Sequence, residues 1–189
     1  MLAVHARYRG SSMHRADLVK RSAQALATLD GVDDFTILGV EDICTVVDSP
    51  SSVCEVVMAL LADGDWAVGI GLCPGVTDKA VARATASGAL GRSARAGQVR
   101  AKTDVRARKS EAADIAAAFG LLGYVLHKRT AEGREATSLV RSGYNQNEAA
   151  EQLGISKQAM SQRLQAAGWA AESAGWQLAV RLLERGNQA

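Results

Sequence analysis

Phe35-Thr36-Ile37-Leu38-Gly39-Val40-Glu41-Asp42-Ile43-Cys44-Thr45-Val46-Val47, with the downstream run Trp66-Ala67-Val68-Gly69-Ile70-Gly71-Leu72, sets the architecture of this chain. Two β-branched runs flank Val40-Glu41-Asp42, which fits a hairpin or a bent strand. Ser52-x-x-Glu55 has the spacing of a capping box opening a helix over 53–62, because each side chain can satisfy a free backbone N–H at a helix start. Gly64 stops that helix, and 66–72 is an apolar run of strand length. Upstream, 1–8 reads as a strand ending in Arg9-Gly10-Ser11-Ser12. Residues 14–29 carry Val19, Ala23 and Leu26 at i, i+4, i+7, the spacing of an amphipathic helix with one buried face. Gly31 closes it.

The order strand, helix, strand, strand, helix, strand is that of a ferredoxin-like (split βαβ) sheet with its helices on one face. Cys73-Pro74-Gly75 ends the last strand. Residues 76–109 are rich in Ala, Gly and Arg; helical pieces followed by a short strand near Val105-Arg106-Ala107 fit best. From Ser110 the pattern is helical, with Ala112, Ile115, Ala116, Phe119, Leu122 and Leu126 on one stripe. The expected organisation is therefore α+β: a sensor or dimerisation domain over 1–109 and a helical domain over 110–189.

With 189 residues, 48% apolar and 22% charged, the chain has the composition of a globular protein and is long enough to bury a core. No apolar run approaches the roughly 18 residues of a membrane span, and the N-terminus turns polar too quickly for a signal peptide. Cys44, Cys54 and Cys73 form no Cys-x-x-Cys pair, which argues against a disulfide framework or structural zinc. The expectation is a reduced, cytoplasmic protein without membrane, metal or cofactor.

The net charge of +2 hides an asymmetry. Residues 1–91 carry 7 basic and 11 acidic groups. Residues 92–109 carry Arg92, Arg95, Arg100, Lys102, Arg106, Arg108 and Lys109 against Asp104 alone; the remaining 80 residues balance. A concentrated basic stretch is either a solvated face or a set of phosphate contacts. It has no interleaved aromatics, so stacking on single strands is not indicated.

The most specific signal lies at 145–167. Asn145 with Glu148 forms a capping box, Ala150 suits close packing, and Leu153 points inward. Gly154 sits where a left-handed residue ends a helix, and Ile155 fills the turn. Ser156 caps a second helix with buried Met160 and Leu164. Its outer face keeps Lys157, Gln158, Ser161, Gln162 and Gln165, with Arg163 at the flank. A preceding helix over 132–142, stopped by Gly143, completes a trihelical unit. Glutamine can pair bidentately with adenine, lysine or arginine with guanine, and serine with either, so the pattern predicts a helix-turn-helix that binds duplex DNA. The expected contacts are Asn145, Gln146, Ser156, Lys157, Gln158, Ser161, Gln162 and Arg163.

The segment resembles the helix-turn-helix of sigma-factor region four and of response-regulator output domains. Over about residue 35 to the end, the chain is similar to SatD-type and related small actinobacterial DNA-binding proteins. The residues carrying this resemblance are Lys128-Arg129-Thr130-Ala131-Glu132-Gly133-Arg134-Glu135-Ala136, Gln158 to Leu164, and Ala167-Gly168-Trp169. It implies a regulator, with the regulon unspecified.

Other patterns carry less. The N-terminal order also resembles the palm-like core of nucleotidyl cyclases, where carboxylates hold two metals. The matching positions are His5 and Glu41-Asp42, which do not supply the paired oxygens magnesium needs. Ser11 and Ser12 faintly resemble the nucleophile region of serine recombinases, but they fit a turn and cap better. Gly69-x-Gly71 lacks the lysine and helix start of a phosphate loop, so glycines in a strand approached by another backbone explain it. The last apolar stripe (Trp169, Trp176, Ala179, Leu182, Leu183) either completes the trihelical core or pairs with a second subunit. The expected protein is a homodimeric transcriptional regulator without catalytic residues, alternatively a protein-binding adaptor or, less fittingly, a recombinase-like DNA enzyme.

Overall fold

A computed structural model describes residues 1–188, and it is α+β. In chain order the elements are β1 (Leu2–Tyr8), α1 (Arg15–Leu26), β2 (Thr36–Ile37), β3 (Asp42–Val47), α2 (Pro50–Asp63), β4 (Trp66–Leu72), α3 (Lys79–Leu90) and β5 (Val99–Thr103). Helices α4 (Lys109–His127), α5 (Ala131–Arg141), α6 (Gln146–Gln152), α7 (Lys157–Ala166) and α8 (Trp169–Gly186) follow. The sheet order is β2-β3-β1-β4-β5. The first three pairings are antiparallel, and β4–β5 is parallel. No helix among the described residues is long and apolar enough to cross a membrane.

Strand alternation divides the sheet into two faces. Leu2, Val4, Ala6 and Tyr8 of β1 pair in register with Leu72, Ile70, Val68 and Trp66 of β4. These side chains join Val19, Val53, Val57, Ile115, Phe119 and Leu183 in the main core, so α1, α2, α4 and α8 cover that face. Ala3, Val46 and Cys73 face the other way and pack on Ala82 and Ala86 of α3. The two helices of the expected order, α1 and α2, share one face, and α3 lies on the other. A parallel connection needs a crossover, and α3 makes it across the second face.

That crossover explains the two glycines of β4. A Cβ at Gly69 would lie 2.5 Å from Ala86 O, and one at Gly71 would lie 2.6 Å from Ala86 N. The helix backbone rests directly on the strand, which no side chain would permit.

Other corrections are local. The last strand is Val99–Thr103, and 106–108 is a 3-10 turn; Val99, Ala101 and Thr103 alternate with Arg100 and Lys102, the period of a strand with one buried face. The cap of α2 is Ser49, whose hydroxyl accepts from Ser52 N at 3.1 Å, with Pro50 in the first turn. Proline suits that position because its missing N–H is not needed there. The first helix stops at Leu26 and continues as turns to Leu29.

The chain does not divide its core at residue 110. Ala112, Ile115, Ala118, Phe119, Leu122 and Leu126 of α4 and Ala179 and Leu183 of α8 belong to the core of the sheet. A separate small core, Ala136, Ala149, Ala150, Met160 and Leu164, lies within α5–α7, with Trp169 against it. The apolar face of α8 is thus spent within the chain, chiefly on α4. The two helices run antiparallel: Gly186 adjoins Ile115, Gly175 adjoins Leu122, and Gly168 adjoins Val125.

Candidate nucleic-acid interface

The α5–α7 unit is assembled by local signals. Thr130 caps α5 by accepting from Gly133 N at 3.2 Å. At the start of α6, the Asn145 side chain accepts from Asn147 N (2.9 Å) and Glu148 N (3.1 Å). The Glu148 carboxylate returns to Asn145 N at 2.8 Å, completing the capping box. Gly154 has φ +62, a conformation cheap only for glycine, and it turns the chain into Ile155. The Ser156 hydroxyl then accepts from Ala159 N at 3.1 Å and caps α7.

Met160 and Leu164 anchor the inner side of α7. Lys157, Gln158, Ser161 and Gln162 are exposed on the outside. None of these four side chains has a hydrogen-bond or ion-pair partner among the described residues, so each is free to meet a ligand. Arg163 is shared, 3.8 Å from Glu135 of α5. Asn145 and Ser156 are engaged as caps and position the helices; Gln146 is exposed at the start of α6. The unit carries four acidic and four basic side chains over 130–167, so it has no net charge to attract a polyanion from a distance.

The basic stretch does not form one patch. Arg100 donates to Leu90 O and to Gln98 Oε1, both at 3.2 Å. Arg108 donates to Arg185 O at 3.1 Å and to Gln188 O, closing the end of α8. These two guanidiniums satisfy carbonyls left open where helices end. Arg92, Arg95, Lys102, Arg106 and Lys109 are exposed and form no ion pair among the described residues. Arg106 and Lys109 stand at the start of α4, whose 19 residues separate them from the α5–α7 unit by about 28 Å. Arg92 and Arg95 lie at the opposite end of β5. There Gly97 passes close to Gly123, in the last turns of α4.

Two polar networks join residues far apart in sequence, and neither has a local sequence signal. On the α3 face, His5 Nδ1 lies 2.7 Å from Ser87 Oγ and His5 Nε2 lies 2.8 Å from Asp42 Oδ1. Asp42 also accepts from Arg7 Nε at 2.7 Å. Burial pushes the His5 pKa below its ordinary value, against the opposing pull of Asp42. A neutral ring beside a carboxylate donates from Nε2, which leaves Nδ1 to compete with Arg83 O, 2.9 Å from Ser87 Oγ, for the single Ser87 hydroxyl proton.

That arrangement has the atom order of a base-activated serine. Ser87, however, sits inside α3, where the amides are bonded within the helix. His5 is only 5% exposed. The network pins α3 to β1 and β3. Arg7 and Arg9 extend it by donating to the carbonyls of Gly91 and Ala94, at 3.0 and 3.1 Å.

The second network holds the α5–α7 unit to the core. Arg129, at the end of α4, donates to Ala167 O (2.8 Å), Thr137 Oγ1 (3.4 Å) and Glu172 Oε2. Arg141 of α5 donates to the other oxygen of Glu172. Arg129 and Glu172 are 6% and 4% exposed. One buried carboxylate thus gathers the ends of α4 and α5 onto α8, while Arg129 ties down the end of α7.

No protein-family model, curated protein or solved structure matches the chain.

Proposed function

We propose that the chain binds duplex DNA sequence-specifically, with α7 in the major groove, and acts as a cytoplasmic transcriptional regulator. The observation that carries this reading is the outer face of α7. Four exposed side chains with base-reading chemistry, none of them with a partner among the described residues, project from a helix fixed by a cap, a left-handed glycine and two buried anchors. The antiparallel order β2-β3-β1-β4 supports a ferredoxin-like reading of the N-terminal sheet, with α3 and β5 as additions. A homodimer is proposed because a single helix-turn-helix usually binds as one half of a two-fold site.

The zero net charge of the reading unit fits specificity carried by a few base contacts, each good bidentate pair contributing about 1–3 kcal/mol of discrimination. The test is selection of bound sequences from a random duplex pool, followed by anisotropy titrations across salt. Gln158→Ala with Gln162→Ala is expected to change the selected sequence. Arg163→Ala, which removes the proposed phosphate contact at the flank of α7, is expected to weaken binding to all sequences and reduce the log–log salt slope by about 0.9. Absence of any salt-dependent DNA binding would favour a protein-binding adaptor.

A further inference from the structure

A cleft of about 540 Å³ opens between the sheet core and the start of α8. Leu29 after α1 and Met58 and Ala59 of α2 line it on one side, and Trp169 and Trp176 line it from α8. The volume lies in the range of small-molecule sites, which form preferentially where two units meet. Two indoles facing aliphatic side chains across a slot suit a flat apolar body.

The polar lining selects the rest of the ligand. Arg141 is half-exposed, and its guanidinium lies 5.9 Å from the centre of the Trp169 ring. It spends one nitrogen on Glu172, and its remaining N–H groups have no hydrogen-bond partner among the described residues. Both oxygens of Glu172 are already occupied by arginines, so Glu172 cannot serve as a cation site. Glu55, exposed on α2, repels an acid from the other wall. A carboxylate is therefore directed to Arg141, where a charge-assisted pair can form.

We propose that this cleft binds a flat, apolar small molecule carrying one carboxylate, and that its occupancy is transmitted to the α5–α7 unit. The ligand acid engages the N–H groups of Arg141 that Glu172 leaves free and draws the guanidinium toward the cleft, while the flat body bridges α2 and α8. Occupancy thus alters the clamp that holds α5 to the core. A ligand with different affinity for the clamped and released arrangements shifts the population between them. This second clause rests on the DNA-binding reading; the site itself does not.

The probe is 2-naphthoate, with the cation 2-naphthylmethylamine as control, titrated calorimetrically into the full chain. The expected result is saturable one-to-one binding of naphthoate and at least tenfold weaker binding of the amine. Arg141→Gln is expected to lower naphthoate affinity about tenfold and remove the preference. Ala59→Trp, a substitution at an exposed position that fills the slot, is expected to abolish binding with the far-ultraviolet spectrum unchanged. Non-saturable titration of the wild type, equal binding of both probes, or unaltered binding by Ala59→Trp would overturn the site. In the second arm, naphthoate is expected to change affinity for a selected duplex at least threefold, and not in Ala59→Trp. An unchanged affinity would overturn the transmission. Complete absence of DNA binding would overturn the DNA reading and the transmission with it, while the calorimetry still decides the site.

Discussion

Arg129→Met breaks the junction between the core and the α5–α7 unit at its most buried point. The substitution keeps the apolar stem of the side chain but removes the guanidinium, and with it the donors to Ala167 O, Thr137 and Glu172. Glu172, only 4% exposed, is left with the half-exposed Arg141 alone. Removing one member of a buried ion pair typically costs about 3–5 kcal/mol, because the remaining charge stays desolvated. The Ala167 carbonyl also loses its donor, at about 1–3 kcal/mol; Arg141 offsets part of the total, so about 3–5 kcal/mol is expected. Glu172→Gln should fall in the same range, since it strands the Arg129 guanidinium among neutral acceptors. Arg129→Met combined with Glu172→Met removes both charges and should cost less than either single change, because replacing a whole buried pair with apolar side chains is often neutral. Urea unfolding followed by circular dichroism and by tryptophan emission gives all three values. A loss below about 1 kcal/mol for Arg129→Met, or additive losses in the double variant, would refute the reasoning.

Three further outcomes follow from the same geometry. Gly71→Ala drives a Cβ to within 2.6 Å of the α3 backbone, and the forced shift should destabilise the chain by about 1–3 kcal/mol in a thermal or urea melt. His5 has a lowered pKa in the folded state, so the unfolded chain binds the proton more readily. Stability should be undiminished above the unfolded value of 6.5 and fall as pH drops below it, with a weaker pH dependence in His5→Gln across urea melts from pH 7.5 to 5. Burial pushes the thiols of Cys44 and Cys54 up to about 11 and about 12. Neither should react with a disulfide reagent at pH 8 until denaturant is added, as a colorimetric thiol count would show.

What was legible in the sequence is what short-range chemistry determines. Asn145 and Glu148, Gly154, Ser156, Met160 and Leu164 all act within a few residues, and each occupies the role its spacing implies. The close approach at Gly69 and Gly71 was also readable, although not the identity of the helix that rests there. What escaped depends on distance along the chain or on competing local signals. Val99 to Thr103 alternates as a strand should, but its charged half reads first as part of a basic run. Ser49 caps α2 in place of Ser52 because Pro50 fixes the first turn. The partners of Arg129 and His5 lie as far as 43 and 82 residues away, and no local periodicity links them. The seven basic residues are close in sequence, yet β5 and the turn after it send them to two ends of the molecule and assign two of them to carbonyls.

The chain leaves the core at Lys128 and returns to it at Gly168, into a helix that lies antiparallel to the one it left. The α5–α7 unit is therefore an inserted cassette with its entry and exit side by side. A body tethered at two adjacent points can rock but cannot swing freely, which preserves its orientation relative to the core. It also makes the unit exchangeable. Another trihelical segment with the same spacing between its ends could be grafted between α4 and α8 without disturbing the core.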